Sequence, residues 1–63
     1  MKLDRSKVDI AMARKKMTTT QLAEAYGVTR ARMSIILKST DVTPACAGKV
    51  AEALSVDVTE IIV

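Results

Sequence analysis

The sequence predicts an all-α fold in which five short helices form one domain, residues 1–63. Apolar residues make up 49% of the chain, but there is no Phe or Trp and only one Tyr, so the core must be aliphatic. Two Gly and one Pro leave few positions that would break a helix. Along most of the chain the apolar residues recur at spacings of three and four, which is the helical period.

The first helix is predicted from about Asp4 to Lys16, with Asp4 or Ser6 as its N-cap. Ile10 lies off the inward face and is expected to be exposed. The inward face combines three apolar side chains with the methylene stem of one lysine: Val8, Ala11, Met12 and Lys15.

The next stretch, about 18–38, predicts two helices joined by a tight turn. Leu22 and Tyr26 share one face of the first of these helices. In the second, the inward stripe is Met33, Ile36 and Leu37. Gly27 occupies the position at which a helix ends in a left-handed conformation. A capping box begins the first helix and Thr29 caps the second. Together these features predict a helix-turn-helix, whose second helix enters the DNA major groove.

Thr43 as N-cap and Pro44 as first helical residue predict the start of the fourth helix. Its inward stripe is Cys46, Ala47, Val50, Ala51 and Leu54. Asp57 and Glu60 form a second capping box that begins a short fifth helix with Val58, Ile61 and Ile62. The connection that precedes Pro44, residues 39–43, is polar and carries no cation.

Composition argues against several classes of protein. With one cysteine, Cys46, and no histidine, an internal disulfide is excluded, and neither a metal site nor a cofactor is expected. No glycine-rich phosphate loop or paired carboxylates in an apolar setting suggest catalysis, so we expect no catalytic residues, no enzyme activity and no small-molecule substrate. There is neither a long apolar run nor a signal peptide, which predicts a cytoplasmic protein with no membrane contact.

The net charge of +3 conceals an asymmetry. Through Lys38 there are nine basic and three acidic residues, whereas after it one lysine faces four acidic residues. The basic half contains the predicted reading helix, as a polyanion-binding module requires. A solvated helix face is the alternative interpretation of such charges.

The helix-turn-helix segment resembles that of the lambda-repressor-like family, the Cro/C1-type or XRE regulators. The resemblance extends over about residues 8–62 and is carried by three runs of residues: Met17-Thr18, Gln21-Leu22-Ala23-Glu24 and Gly27-Val28-Thr29-Arg30. The family often pairs an arginine and a glutamate at the positions of Met12 and Leu37, and both are apolar here, so we expect these two side chains to touch. Ser55 stands where the family commonly has glycine.

The resemblance places the base-reading positions on Arg30, Ala31 and Ile35, with Ser34 nearby. Helical geometry agrees, because these side chains point away from the predicted core face. The Arg30 guanidinium matches the O6 and N7 acceptors of guanine, and Ala31 and Ile35 suit thymine methyl groups.

Phosphates are expected at the helix starts and beside the reading helix. The backbone N–H groups and hydroxyls of Thr18 and Thr19 form an anion site at a helix N-terminus, and Thr29 begins the next helix. Lys38 matches a backbone-contacting position of the family. Arg32 points sideways, toward either a phosphate or Glu24.

The sequence therefore predicts a sequence-specific regulator that binds double-stranded DNA, most simply a repressor of phage, mobile-element or bacterial origin. A homodimer on two-fold-related half-sites is the expected working form, associated with the nucleoid when bound. By family analogy, its dimer surface would include the loop before Pro44 and residues 57–63. A protein-interaction module, such as an antitoxin or adaptor, is the rival, and a helical bundle without a nucleic-acid role is the remaining alternative.

Overall fold

The computed structural model describes residues 1–39 and 41–63, and these form four α-helices followed by one 3₁₀ turn. The helices are α1 (Arg5–Lys15), α2 (Thr19–Tyr26), α3 (Arg30–Lys38) and α4 (Pro44–Leu54), and the 3₁₀ turn is Val58–Glu60. The all-α prediction is confirmed, but the count of five helices is not. The last segment stops after one turn because Ile61 leaves the helical region (φ −127°, ψ 2°).

Every helix begins at a side chain that caps it. Asp4 rather than Ser6 caps α1, accepting from the Lys7 amide at 3.2 Å. Thr43 caps α4, and Pro44 follows as its first residue. Such caps satisfy amide groups that have no partner inside the helix, which fixes where each helix starts.

Three helices end at a residue in the left-handed conformation. Gly27 (φ 97°) ends α2, as predicted, and Ser55 (φ 56°), at the position where the family commonly has glycine, ends α4. Lys16 (φ 53°) does the same for α1, which the sequence did not indicate because lysine gives no left-handed signal. At both non-glycine ends two amides fold back onto helix carbonyls, for example Met17 N–H to Met12 O at 2.9 Å.

Replacing Ser55 with glycine should stabilise the fold by about 0.5–1 kcal/mol. The Cβ of a left-handed residue crowds the following carbonyl, a cost that glycine avoids and that outweighs its greater freedom in the unfolded chain. Urea denaturation measures the change. Ser6→Gly, inside α1, is the matched control and should lose up to about 1 kcal/mol. A Ser55→Gly protein less stable than the parent would contradict this account.

The core is aliphatic and draws on all four helices and on Ile61, which follows the 3₁₀ turn. Its buried members are Val8, Ala11, Met12, Leu22, Ala23, Met33, Ile36, Leu37, Val50, Ala51, Leu54 and Ile61. Helix α2 packs against both α3 and α4, and the 3₁₀ turn packs against α1 and α4. Ala23, 1% exposed, lies in α2 where its small side chain suits a close approach of helices. This packing sets the orientation of α3 relative to the other helices.

Of two predictions about the core, one is wrong and the other stays a prediction. Lys15 was expected on the inward face of α1 and is exposed. The prediction is wrong because α1 ends there and the chain turns back through Lys16, so Met17 packs against the core in its place. Met12 and Leu37 are both buried in the same cluster, and direct contact between them stays a prediction.

The two ends of the chain pair with each other. Leu3 and Ile62 form an isolated antiparallel bridge, Asp4 N–H donates to Ile61 O at 2.8 Å, and Val63 N–H donates to Lys2 O at 3.0 Å. This pairing draws Ile61 into the core, where it is 0% exposed. It explains why the final segment becomes extended instead of helical.

In the part of the chain that the structure describes, no helix is long and apolar enough to cross a membrane. Thr40, part of the loop predicted to lie at a dimer surface, falls outside the described residues.

Candidate nucleic-acid interface

Helix α3 has one buried and one exposed side. Met33, Ile36 and Leu37 are buried, as their spacing predicted. The opposite side presents the predicted base-reading residues: Arg30, Ala31 and Ile35 are exposed, and Ser34 is half-buried. The Ile35 side chain is 58% exposed although it is aliphatic. One side of α3 therefore packs against the core and the other is open to solvent, as is required of a helix that enters a DNA groove.

The turn before α3 is rigidly built. The amides of Gly27 and Val28 both donate to Ala23 O, at 2.8 and 3.0 Å. Val28 is half-buried against the core, as expected for a corner residue. Thr29 then caps α3, with its Oγ1 accepting from the Arg32 amide at 3.2 Å. Arg30 thus extends from the first turn of a helix whose start is fixed by hydrogen bonds.

The cations of α3 are exposed and lack acidic partners. Among the described residues, no carboxylate oxygen lies within ion-pairing distance of Arg30, Arg32 or Lys38. The alternative in which Arg32 pairs with Glu24 is thus not the arrangement seen. By contrast, Arg5 and Arg14 of α1 pair with Asp9 and Glu60, at 3.0 and 3.4 Å. In the described part of the chain Lys7 and Lys15 of α1 also lack an acidic partner, but on α3 all three cations are unpaired and lie beside the exposed face.

The start of α2 is partly as predicted. Thr18 is exposed, and its Oγ1 accepts from the Gln21 amide at 3.2 Å. The Thr18 amide, however, donates to Gln21 Oε1 at 2.9 Å, so it is not a free donor. Within the described structure the Thr19 amide has no partner, and Thr19 is half-buried. The anion site expected here therefore depends on the Thr19 amide and the hydroxyl groups.

A polar cluster that the sequence did not predict joins α2 to α4. Tyr26 Oη donates to Cys46 Sγ at 3.4 Å, and Lys49 Nζ lies 4.6 Å from the centre of the Tyr26 ring. The hydrogen bond to Cys46 is the main reason that the pKa of the Tyr26 phenol is raised, and burial of the side chain raises it further. Sequence spacing placed Cys46 correctly on the inward stripe but carried no signal for a tyrosine on another helix. These two contacts help to hold α2 and α4 against each other.

The connection between α3 and α4 is tied to the first residue. The Met1 amino group pairs with Asp41 Oδ1 at 2.6 Å, and the Val42 amide donates to Met1 O at 2.7 Å. The hydrogen bond from that amino group holds the pKa of Asp41 below its ordinary value. Asp41 and Val42 thus follow α3 in a defined position.

The family model of the Cro/C1-type HTH DNA-binding domain matches residues 7–63. No curated protein and no solved structure matches the chain. The matched region includes both helices of the helix-turn-helix and the packing helices around them. The chain therefore belongs to the Cro/C1-type helix-turn-helix DNA-binding domain family.

Proposed function

We propose that the chain is a transcriptional regulator that reads a specific double-stranded DNA sequence by placing α3 in the major groove. The observation that supports this most is the exposed face of α3, where Arg30 and Lys38 have no acidic partner in the described structure. Arg30 donates to a guanine edge, and Ser34 contacts the neighbouring base. Thr18, Thr19, Thr29, Arg32 and Lys38 hold phosphates on either side, and so set the register.

The working form we propose is a homodimer on an operator with two-fold-related half-sites, about 34 Å apart. A single domain of this size contacts too little DNA for high specificity, and a second copy doubles the contacts. The exposed Val63 (82%) and the loop at Asp41 and Val42 belong to the surface proposed for this contact. We expect the protein to repress transcription by blocking a promoter in the cytoplasm of a bacterium, and to be of phage, mobile-element or bacterial origin.

Fluorescence anisotropy tests the proposal. The chain is titrated against a random-sequence duplex pool and against a duplex selected from that pool, over a series of salt concentrations. We expect tighter binding to the selected duplex and a steep loss of affinity for both as salt rises. Failure of the folded protein to bind either duplex at low salt would overturn the DNA-binding proposal and favour a protein-interaction module.

Lys38→Ala should weaken binding to the selected duplex and to the random pool by similar factors. Because Lys38 is assigned to a phosphate, its removal should lower the slope of log K against log salt by about one and leave specificity unchanged. Lys7→Ala is the matched control, since it removes one lysine charge from α1. If the slope of log K against log salt is the same for Lys38→Ala as for Lys7→Ala, Lys38 does not contact a phosphate.

A further inference from the structure

The exposed face of α3 carries an apolar strip. Ala31 and Ile35 are four residues apart, so their side chains are neighbours on the helix surface, and both are exposed. In the described chain the other exposed large apolar residues are Met1, Val63 and Ile10, the first two at chain ends. Ile35 is thus the one that lies on the proposed reading helix.

The residues that follow Ile35 hold the apolar strip in place. Ile36 and Leu37, the next residues, are buried in the core, and Ser39 Oγ donates to Ile35 O at 3.1 Å. A β-branched side chain in a helix has one strongly preferred rotamer, so the Ile35 methyl groups have a fixed direction. The surface is therefore preorganised, and binding would order little more of it.

The chemistry of this strip selects one feature of the major groove. Ala31 and Ile35 can neither donate nor accept a hydrogen bond, and the only apolar group that a base presents there is the 5-methyl of a pyrimidine. Placed against cytosine instead, Ile35 would shield the N4 amino donor from water without replacing its hydrogen bond. Apolar contact is thus favourable with thymine and costly with unmethylated cytosine.

We propose that Ala31 and Ile35 form a binding surface for a pyrimidine 5-methyl group, so that the operator carries thymine at this position and accepts 5-methylcytosine as the next best pyrimidine. The proposal rests on the DNA-reading role of α3. Arg30 and Ile35 are separated by about 7.5 Å along the helix axis. The two side chains are therefore assigned to different bases of the operator.

A cycle of DNA and protein substitutions tests the proposal. The selected duplex is prepared with each thymine replaced in turn by uracil, which removes the 5-methyl and keeps the base-pairing edge. Each duplex is titrated with the parent, with Ile35→Ala and with Ile10→Ala, whose isoleucine is similarly exposed (53%) on α1. Because Ile35 and Ile10 are both exposed, the two variants are expected to fold, and circular dichroism checks this.

At one thymine of each half-site, uracil should weaken parent binding by about fourfold, the factor that corresponds to burial of one methyl-sized group. The same substitution should have no effect on Ile35→Ala and its full effect on Ile10→Ala. At that position cytosine should bind worst, and 5-methylcytosine should recover part of the loss.

Two outcomes would overturn the inference. One is a parent protein that tolerates uracil at every position, and the other is a uracil effect of equal size in Ile35→Ala. Either result leaves the DNA-reading proposal standing, because the parent still binds the selected duplex. A parent that binds no duplex at all refutes the proposed function first.

Discussion

Leu22→Ala should destabilise the protein by about 2–5 kcal/mol, enough to unfold much of it at physiological temperature. Leu22 is 0% exposed and lies in α2, the helix that packs against both α3 and α4. Truncation removes apolar contacts and leaves a cavity that the surrounding aliphatic side chains fill only in part. A chain of this length has few other stabilising contacts, since a core of this size supplies roughly 3–5 kcal/mol.

Urea denaturation followed by circular dichroism measures the effect. Ile10→Ala removes the same number of carbon atoms from an exposed position and should change the free energy of unfolding by less than about 0.5 kcal/mol. Selected DNA added in excess should partly restore the folded form of Leu22→Ala, because a ligand of the native state shifts the equilibrium. If Leu22→Ala unfolds at the same urea concentration as the parent, the buried Leu22 side chain does not stabilise the fold as expected.

Arg30→Ala should weaken binding to the selected duplex by ~1–3 kcal/mol, roughly 5- to 150-fold in Kd, and barely change binding to the random pool. Arg30 is exposed in the first turn of α3, and its planar guanidinium can donate two hydrogen bonds to one guanine. Loss of such a contact affects the cognate sequence, whereas non-specific binding depends mainly on phosphate contacts.

Arg30→Lys is the matched control, because it keeps the charge and removes the fork of donors. We expect it to retain the salt slope of the parent and to lose most of the specificity. If Arg30→Ala instead weakens both duplexes equally, and lysine restores both, then Arg30 holds a phosphate and does not read a base.

The local features of this fold were predictable from the sequence. Thr18, Thr29, Thr43 and Asp57 cap their helices as expected, and Gly27 turns the chain between α2 and α3. Each of these depends on residues no more than four positions apart, so a single sequence contains the whole interaction. The exposed face of α3 followed in the same way, because helical periodicity separates buried from exposed positions within two turns.

What failed to follow from the sequence involves residues far apart in the chain. Tyr26 meets Cys46 across two helices. The final segment stops after one 3₁₀ turn because Ile61 pairs with Asp4 at the other end of the chain. Lys15 is a local exception: it is exposed because its helix ends there, in a left-handed turn at Lys16 that lysine does not signal and that brings Met17 to the core instead.

The sequence by itself thus determined the starts of α2, α3 and α4, the turn between α2 and α3 and the exposed side of α3, since caps and periodicity are local. Only the tertiary structure decided that Arg30, Arg32 and Lys38 lack acidic partners in the described chain, whereas Arg14 is paired. It also decided that the fifth helix is a single turn. The physical reason is the same in both cases: which distant group comes within hydrogen-bonding or ion-pairing distance depends on how the aliphatic core packs.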